Sequence, residues 1–261
     1  MQPGRRTVAG VLLAGLATVL RADEDDLTLV VAGRTDAGVH ATGQVCHVDV
    51  PAPAWAALPG RSALPPATSL LRRLCGVLPG DVRVHGAVPA PPGFDARFSA
   101  VHRRYAYRLC DDPAGVPPLR RRDVVAWPRP LDERAMSDAA AGLVGLHDFA
   151  PFCKRRDGGT TVRTLLEYAW GRDADGFVVA RVVADAFCHS MVRALVGAAA
   201  AVGDGRRPAG WPLEVLAGGV RDPGVAVAPA HGLVLEHVAY PPDAGLAGRA
   251  VQARAVRRLP G

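Results

Sequence analysis

Residues 33–50 read GRTDAGVHATGQVCHVDV and form the most informative stretch of this sequence. Gly33 and Gly38 flank Arg34 and Asp36, so the backbone can turn tightly and leave both side chains exposed. Residues 26–33 before this loop read as a β-strand, and residues 44–50 after it alternate as a second one. An aspartate beside a glycine is common in a plain turn. An arginine and a carboxylate on one exposed loop favour a functional site instead.

Length and composition indicate a folded, weakly basic protein. The chain has 261 residues, of which 49% are hydrophobic, so one large domain or two small ones can form. The formal net charge of +6 favours phosphate-bearing partners. Lys154 is the single lysine, so the remaining basic residues are arginines, which bind phosphate bidentately. Five widely spaced cysteines without a CxxC pair predict reduced thiols and a cytoplasmic location.

The N-terminal segment allows two interpretations. Arg5 and Arg6 precede an uncharged run over residues 8–20, a pattern shared by secretory signals and by helices of folded domains. Apolar residues recur every three to four positions in this run, and Thr7 can cap a helix, so we predict a helix of the folded protein. No apolar run in the sequence is long enough to span a membrane, so no membrane partner is expected.

Helices and strands interleave along the rest of the chain with short connections. This pattern predicts an α+β protein with two α/β subdomains and mixed, mostly antiparallel sheets. Three prolines within residues 89–92 suggest a boundary, which gives an N-terminal catalytic-loop domain over residues 1–92 and a C-terminal domain over residues 93–241. Residues 242–261 lack a clear period and are predicted to be an irregular tail. Beyond the strands at 26–33 and 44–50, we predict strands at 82–88, 103–109, 162–171, 176–183 and 233–238, helices at 67–77, 132–144, 187–202 and 212–217, and a loop at 51–65.

Two further segments carry residues suited to binding a nucleic acid. Arg103, Tyr105 and Tyr107 share one face of a predicted strand, where aromatic rings can stack a base and arginine can pair a phosphate. For Tyr107 we prefer a place in the core. In the predicted helix 187–202, Arg193 is the single charge in an apolar environment, so we predict that it pairs with Asp36.

Several other chemistries lack support in the sequence. The motifs of nucleotide-binding loops, zinc deaminases and serine hydrolases are absent. Cys46 and His47 are adjacent on a predicted strand and would face opposite sides, which argues against a metal site with His40. No second carboxylate accompanies Asp36 in its loop, so a paired-carboxylate glycosidase is not indicated. A single aspartate can still act as a nucleophile if a cation keeps it ionised.

Residues 33–50 closely resemble the catalytic loop of the tRNA pseudouridine synthase A family, which reads GRTDxGVHAxGQV. Four more segments match the family in order along the chain, so the resemblance covers residues 2–240. They are QPGRRTVAG at 2–10, FDARFSAVHRRYAY at 94–107, GLHDFAPF at 145–152 and FCHSMVRALVG at 187–197.

The resemblance implies a pseudouridine synthase fold and an enzyme that isomerises uridine in the anticodon stem-loop of tRNA, at positions 38–40. It implies a homodimer with no metal and no cofactor. Asp36 would be the nucleophile, attacking either C6 of the base or C1′ of the ribose, and Arg193 would form a salt bridge with it. Tyr105 would pack against the target base, and Arg34 would hold the flipped nucleotide. Arg103 and Phe187 complete the predicted substrate-binding set. The arginine-rich runs at 120–122, 154–156 and 206–207 either bind tRNA phosphates or are solvated faces.

One departure from the family pattern leads to a second interpretation. The family begins with a β-strand and a Tyr-Asp-Gly…Gly-Trp segment before the first helix, whereas this sequence starts at the helix. We therefore expect the first sheet to lack its opening strand and the 261-residue span to be poorly stable. The alternative to an active synthase is a catalytically inactive RNA-binding relative.

Overall fold

The computed structural model describes residues 6–154 and 160–255. The helices within these ranges are α1 (Val8–Leu20), α2 (Ala52–Ala57), α3 (Pro66–Val77), α4 (Glu133–Ala141), α5 (Met191–Gly203), α6 (Trp211–Ala217) and α7 (Leu246–Arg254). The strands are β1 (Thr28–Val31), β2 (His40–Ala41), β3 (Cys46–Asp49), β4 (His102–Cys110), β5 (Val125–Ala126), β6 (Gly145–Asp148), β7 (Val162–Arg172), β8 (Val178–Ala184) and β9 (Leu233–Ala239).

The N-terminal part consists of a two-stranded antiparallel sheet and the helices packed beside it. β1 pairs with β3 so that Val31 lies opposite Cys46. Helix α1 begins after Thr7, whose Oγ1 accepts a hydrogen bond from the Gly10 N–H at 3.1 Å, as expected of an N-cap. Its apolar face buries Leu16 against α3, which confirms the predicted helix over residues 8–20.

A larger sheet forms the rest of the molecule. Its strand order is β2-β9-β4-β8-β7-β6, with β5 beside the end of β4. All pairings in it are antiparallel except β2 with β9 and β4 with β5, so the α+β class with mixed, mostly antiparallel sheets is confirmed. Helix α5 is almost wholly buried in the main core cluster and contacts α4 and α6. Apolar burial of this extent is the main force that holds such a layer together.

Two sequence-based predictions of local structure are wrong. The segment 82–88 is not a strand, because it pairs with no neighbouring strand, and its apolar residues Val82 and Val84 pack onto the N-terminal cluster instead. The predicted loop 51–65 contains α2. The alternating pattern at 82–88 thus correctly indicated that apolar residues of this segment are buried. It did not indicate whether a partner strand is present to form the hydrogen bonds that define a strand.

The prediction of an irregular tail is wrong for residues 243–254. A short turn at Asp243–Gly245 leads into α7, whose Leu246 and Ala250 lie four residues apart and are buried. Two buried residues on one face are too few to produce a helical periodicity that is visible in the sequence. Residues 256–261 of the predicted tail lie outside the described ranges. The division at residue 92 stays a prediction, and β2 extends the N-terminal part into the large sheet by pairing with β9.

Candidate active site

The loop that carries Asp36 is fixed at both ends. At its base the Ala32 N–H donates to the Val45 carbonyl at 2.8 Å, which closes the β1–β3 hairpin. At its far end the N–H groups of Thr42 and Gly43 both donate to the carbonyl of Leu235 on β9. A side chain at position 43 would overlap the Glu236 backbone, so the close approach requires glycine. The loop is therefore held between the two sheets.

Two basic side chains approach the carboxylate of Asp36. Nε2 of His189 lies 3.3 Å from Oδ1, and Nη1 of Arg193 lies 3.8 Å from Oδ2. Both distances are within ion-pair range, and the Asp36 side chain remains 30% exposed. The structure thus brings together the predicted pair of Asp36 and Arg193. It also adds His189, which the sequence-based prediction had missed.

Arg193 is held in place by backbone contacts. Its Nε donates to the carbonyl of Ala228 at 2.6 Å, and the Ala228 N–H donates back to the Arg193 carbonyl at 3.0 Å. Ser190, the residue before α5, adopts a left-handed backbone with φ 64°, which is uncommon for residues other than glycine. Arg193 and His189 therefore flank the N-terminal end of a long helix, whose dipole also favours a carboxylate there.

Tyr105 and Phe187 form an aromatic pair in the same cleft. Their ring centroids are 5.1 Å apart and the planes are nearly perpendicular at 88°, a favourable edge-to-face arrangement. The Tyr105 side chain is mostly buried, at 8% exposure. Burial raises the pKa of Tyr105 to about 12, so its hydroxyl is neutral under ordinary conditions. The structure therefore places both predicted residues where an unstacked base could lie against them.

Arg103 and Arg34 differ in how their side chains are used. The Arg103 guanidinium donates to the carbonyls of Ala32 at 2.9 Å, Arg97 at 2.7 Å and Asp185 at 2.8 Å, and so ties three segments together. Burial lowers its pKa. This geometry favours a positioning role over the predicted contact with substrate. Arg34, by contrast, is exposed at the mouth of the cleft, where a ligand can reach it.

These side chains line one cleft of about 540 Å³, which is within the range of about 300–1,000 Å³ common for ligand sites. Asp36, Tyr105, Phe187 and His189 lie in its wall. The charged residues of its lining are six arginines and two aspartates, namely Arg34, Arg97, Arg103, Arg163, Arg193, Arg249, Asp36 and Asp185. A concave surface with this excess of positive charge suits a polyanion.

Comparisons with known proteins agree with this geometry. A family model described as tRNA pseudouridine synthase matches residues 139–241. The tRNA pseudouridine synthase A of Streptomyces griseus is 60% identical over 262 residues, which cover 100% of this chain and 89% of the relative. The protein of that name from Frankia casuarinae is 60% identical, covering 99% and 90% of the two chains, and that from Mycobacterium leprae is 51% identical, covering 98% and 89%.

The chain belongs to the tRNA pseudouridine synthase A family.

Family membership confirms the resemblance seen in residues 33–50, and with it the fold class.

His189 lies inside the family-like segment FCHSMVRALVG, four residues before Arg193. The helix begins at Met191 rather than at the predicted residue 187, so His189 lies outside it and helical spacing does not relate it to Arg193. Arg97 and Arg249, which also line the cleft, gave no signal in the sequence, because lone arginines are usually solvated. In the described part of the chain, no helix has the length and hydropathy needed to cross a membrane.

Other residues singled out in this family member have structural roles. Tyr107 is fully buried and donates its hydroxyl to the Pro229 carbonyl at 2.7 Å, which confirms its place in the core. Nδ1 of His47 accepts a hydrogen bond from the Ala96 N–H at 3.0 Å. Of the arginine-rich runs, Arg120 pairs with Asp123 and Asp175, and Arg206 pairs with Asp204. Arg155 and Arg156, predicted either to bind tRNA phosphates or to form a solvated face, lie outside the described residues.

The prediction that the five cysteines are reduced thiols is wrong for one pair of them. Cys153 and Cys188 are joined as a disulfide, with Cα atoms 5.8 Å apart, whereas Cys46, Cys75 and Cys110 are free. The two cysteines are 35 residues apart in sequence. They meet because the turn after β6 packs against the segment that leads into α5, so sequence spacing alone could not reveal the pairing.

Proposed function

We propose that this chain converts uridine to pseudouridine in the anticodon stem-loop of tRNA, at positions 38–40, with Asp36 as the nucleophile. Membership of the tRNA pseudouridine synthase A family makes the chain an isomerase that acts on tRNA. The observation that carries the finer proposal is the contact of Asp36 with both His189 and Arg193 inside an arginine-lined cleft.

The reaction begins when the target uridine leaves its stack and enters the cleft. Unstacking a nucleotide costs a few kcal/mol, which phosphate and stacking contacts must offset. Arg34, exposed at the mouth of the cleft, binds the displaced strand. Tyr105 and Phe187 supply the apolar surface against which the base rests.

Asp36 then attacks either C6 of the base or C1′ of the ribose. The N1–C1′ bond breaks, the base rotates while it is held in the cleft, and C5 bonds to C1′. Loss of the C5 proton and release of the Asp36 carboxylate complete an isomerisation in which no atom other than exchanged protons is gained or lost. The reaction is therefore redox-neutral and needs no second substrate.

The positive charge of Arg193 attracts the Asp36 carboxylate and keeps it aimed at the base. The Nη1–Oδ2 distance of 3.8 Å is within ion-pair range. The hydrogen bond from Arg193 Nε to the Ala228 carbonyl fixes the guanidinium before substrate arrives, so little reorganisation accompanies the reaction.

The resemblance also supports a homodimer as part of the proposal, and the cytoplasmic location stays a prediction. Light scattering coupled to size-exclusion chromatography gives the oligomeric state directly. A monomeric mass across the working concentration range would contradict the dimer.

The decisive experiment measures tritium release from tRNA labelled at C5 of uridine, because only isomerisation exchanges that proton. We expect release by the wild type and none by Asp36→Ala, whereas Asp138→Ala, an exposed aspartate on α4, retains activity. Transcripts with cytidine at positions 38, 39 or 40 then identify the modified uridines. Binding of tRNA without release by the wild type would support the inactive RNA-binding relative instead.

A further inference from the structure

Helix α7 is docked firmly beside the segment that leads into β4. The Ser99 hydroxyl, fully buried, donates to the carbonyl of Leu246 at 3.1 Å, at the start of the helix. Leu246 and Ala250 are buried below it. Gly93, with φ +79°, allows the helix to approach closely, since a Cβ there would lie 2.8 Å from the Cβ of Ala247.

The C-terminal end of α7 is anchored by Arg254. Its Nη2 donates to Oδ2 of Asp95 at 3.1 Å, and its guanidinium lies 4.5 Å from the ring centroid of Phe98. The guanidinium of Arg97 lies 5.0 Å from the same ring. Such cation–π contacts are attractive, so the helix is held at both ends.

Arg249 projects from this docked helix into the catalytic cleft. It is half-buried and lines the same cavity as Asp36 and Tyr105. Its Nε donates to the Ala100 carbonyl at 3.3 Å, which orients the guanidinium. Within the described residues its Nη atoms have no hydrogen-bond or ion-pair partner, and α7 carries no acidic residue. An oriented guanidinium with unused donors, in a cleft rich in arginine, is suited to an anion.

We propose that α7 forms a wall of the RNA-binding cleft and that Arg249 binds a backbone phosphate of the tRNA strand that carries the target uridine. This inference rests on the proposed function, because it assumes that RNA occupies the cleft. A phosphate is the ligand that the geometry favours, since the bidentate guanidinium matches its oxygens. The neighbouring Arg97 and Arg34 extend the positive surface along which a strand can run.

The test compares the affinity of tRNA for variants of the full chain over a range of salt concentrations. Asp36→Ala is present in every protein, so turnover does not affect the readout, and fluorescence anisotropy of labelled tRNA gives the dissociation constant. We expect Arg249→Gln to weaken binding about tenfold at about 0.1 M KCl. We also expect it to reduce the slope of log Kd against log salt by about one.

Two matched variants separate a phosphate contact from a general effect. Arg249→Lys keeps the charge but lacks the bidentate fork, so it should restore the salt slope and only part of the affinity. Arg72→Gln removes an equal charge from an exposed position on α3 outside the cleft and should leave both unchanged. An Arg249→Gln protein with the affinity and salt slope of the Arg72→Gln control overturns the inference. A lowered melting temperature with an unchanged salt slope shows a structural role and also overturns it.

The outcome for α7 can be told apart from the outcome for the proposed function. If the wild type releases tritium but Arg249→Gln binds tRNA like the control, the synthase assignment stands and the inference fails. If the wild type releases none but Arg249→Gln loses salt-dependent affinity, the synthase assignment fails and α7 remains a wall of an RNA-binding cleft.

Discussion

Nε2 of His189 lies 3.3 Å from Oδ1 of Asp36, while Arg193 approaches the other carboxylate oxygen. Nδ1 of His189 is buried and has no hydrogen-bond partner among the described residues. The main chain holds this residue instead, because the Lys154 N–H donates to the His189 carbonyl at 3.0 Å. The imidazole is therefore placed toward Asp36 by its backbone and has the carboxylate as its polar contact.

Replacing His189 should slow catalysis without preventing folding. We expect His189→Ala to reduce the rate of tritium release in a single turnover about tenfold, because Asp36 loses one of the two groups that orient it. His189→Gln, which keeps a side-chain N–H, should lose less. His85→Ala, at an exposed position, is the control. A His189→Ala rate equal to that of the control would show that the contact has no catalytic importance.

Arg103 should matter more for stability than for substrate affinity. Arg103→Gln removes the donor to three carbonyls and leaves them unsatisfied in a partly buried region, at a cost of about 3 kcal/mol in the free energy of unfolding. Urea unfolding measures the loss of stability, and tRNA binding by the folded variant measures the effect on substrate affinity. A large fall in tRNA affinity with unchanged stability would restore the original prediction that Arg103 contacts substrate.

The tyrosines should ionise only at strongly alkaline pH. Burial raises the pKa of Tyr105 to about 12 and also raises the pKa values of Tyr107, Tyr168 and Tyr240, the remaining tyrosines of the chain. Above about pH 10 the unfolded chain therefore binds fewer protons than the folded one, so stability falls as pH rises. The stability that the buried, neutral tyrosines contribute is fully present below pH 10 and is lost as the pH rises toward 12.

Absorbance at 295 nm and circular dichroism, recorded together during an alkaline titration, check this expectation. The tyrosinate signal should appear as the folded structure is lost, and Tyr105→Phe should reduce its final amplitude by about a quarter. A tyrosinate step near pH 10 in a protein that keeps its native dichroism would contradict the burial of these side chains.

The disulfide gives a direct count of reactive thiols. Under non-reducing denaturing conditions, Ellman's reagent should detect three thiols, those of Cys46, Cys75 and Cys110, and five after reduction. Reduction should also lower the free energy of unfolding by about 4 kcal/mol, as closing a loop of this size implies. Cys75→Ser, which removes an exposed free thiol, should lower both counts by one. Five thiols before reduction would mean that the pair is not bonded in solution.

Prediction from the sequence succeeded where local patterns and function coincide. The loop around Asp36 was identified because two glycines, an arginine and an aspartate in one short stretch constrain the backbone and the chemistry together. The helix over residues 8–20 was predicted with its observed bounds because Thr7 caps it and its apolar residues recur at helical spacing. The pairing of Asp36 with Arg193 followed from the need of an arginine in apolar surroundings for a carboxylate.

Contacts between distant segments could not be predicted in the same way. The disulfide between Cys153 and Cys188 depends on how a turn packs against the start of α5, which no local pattern encodes. Helix α7 buries only Leu246 and Ala250, so its docking depends on the complementary surface around Ser99. The segment 82–88 alternates like a strand, yet strand formation also requires a partner edge, which depends on the whole fold.

The hydrogen bonds that anchor the end of the catalytic loop also determine how rarely this part of the loop opens. The amide protons of Thr42 and Gly43 both point to the carbonyl of Leu235, a fully buried residue of β9. Their exchange with solvent deuterium should therefore be as slow as that of the sheet itself, unlike the exchange of most surface loops. We therefore expect the anchored end of the loop to open about as rarely as the sheet, so that a substrate meets this end of the loop already in place.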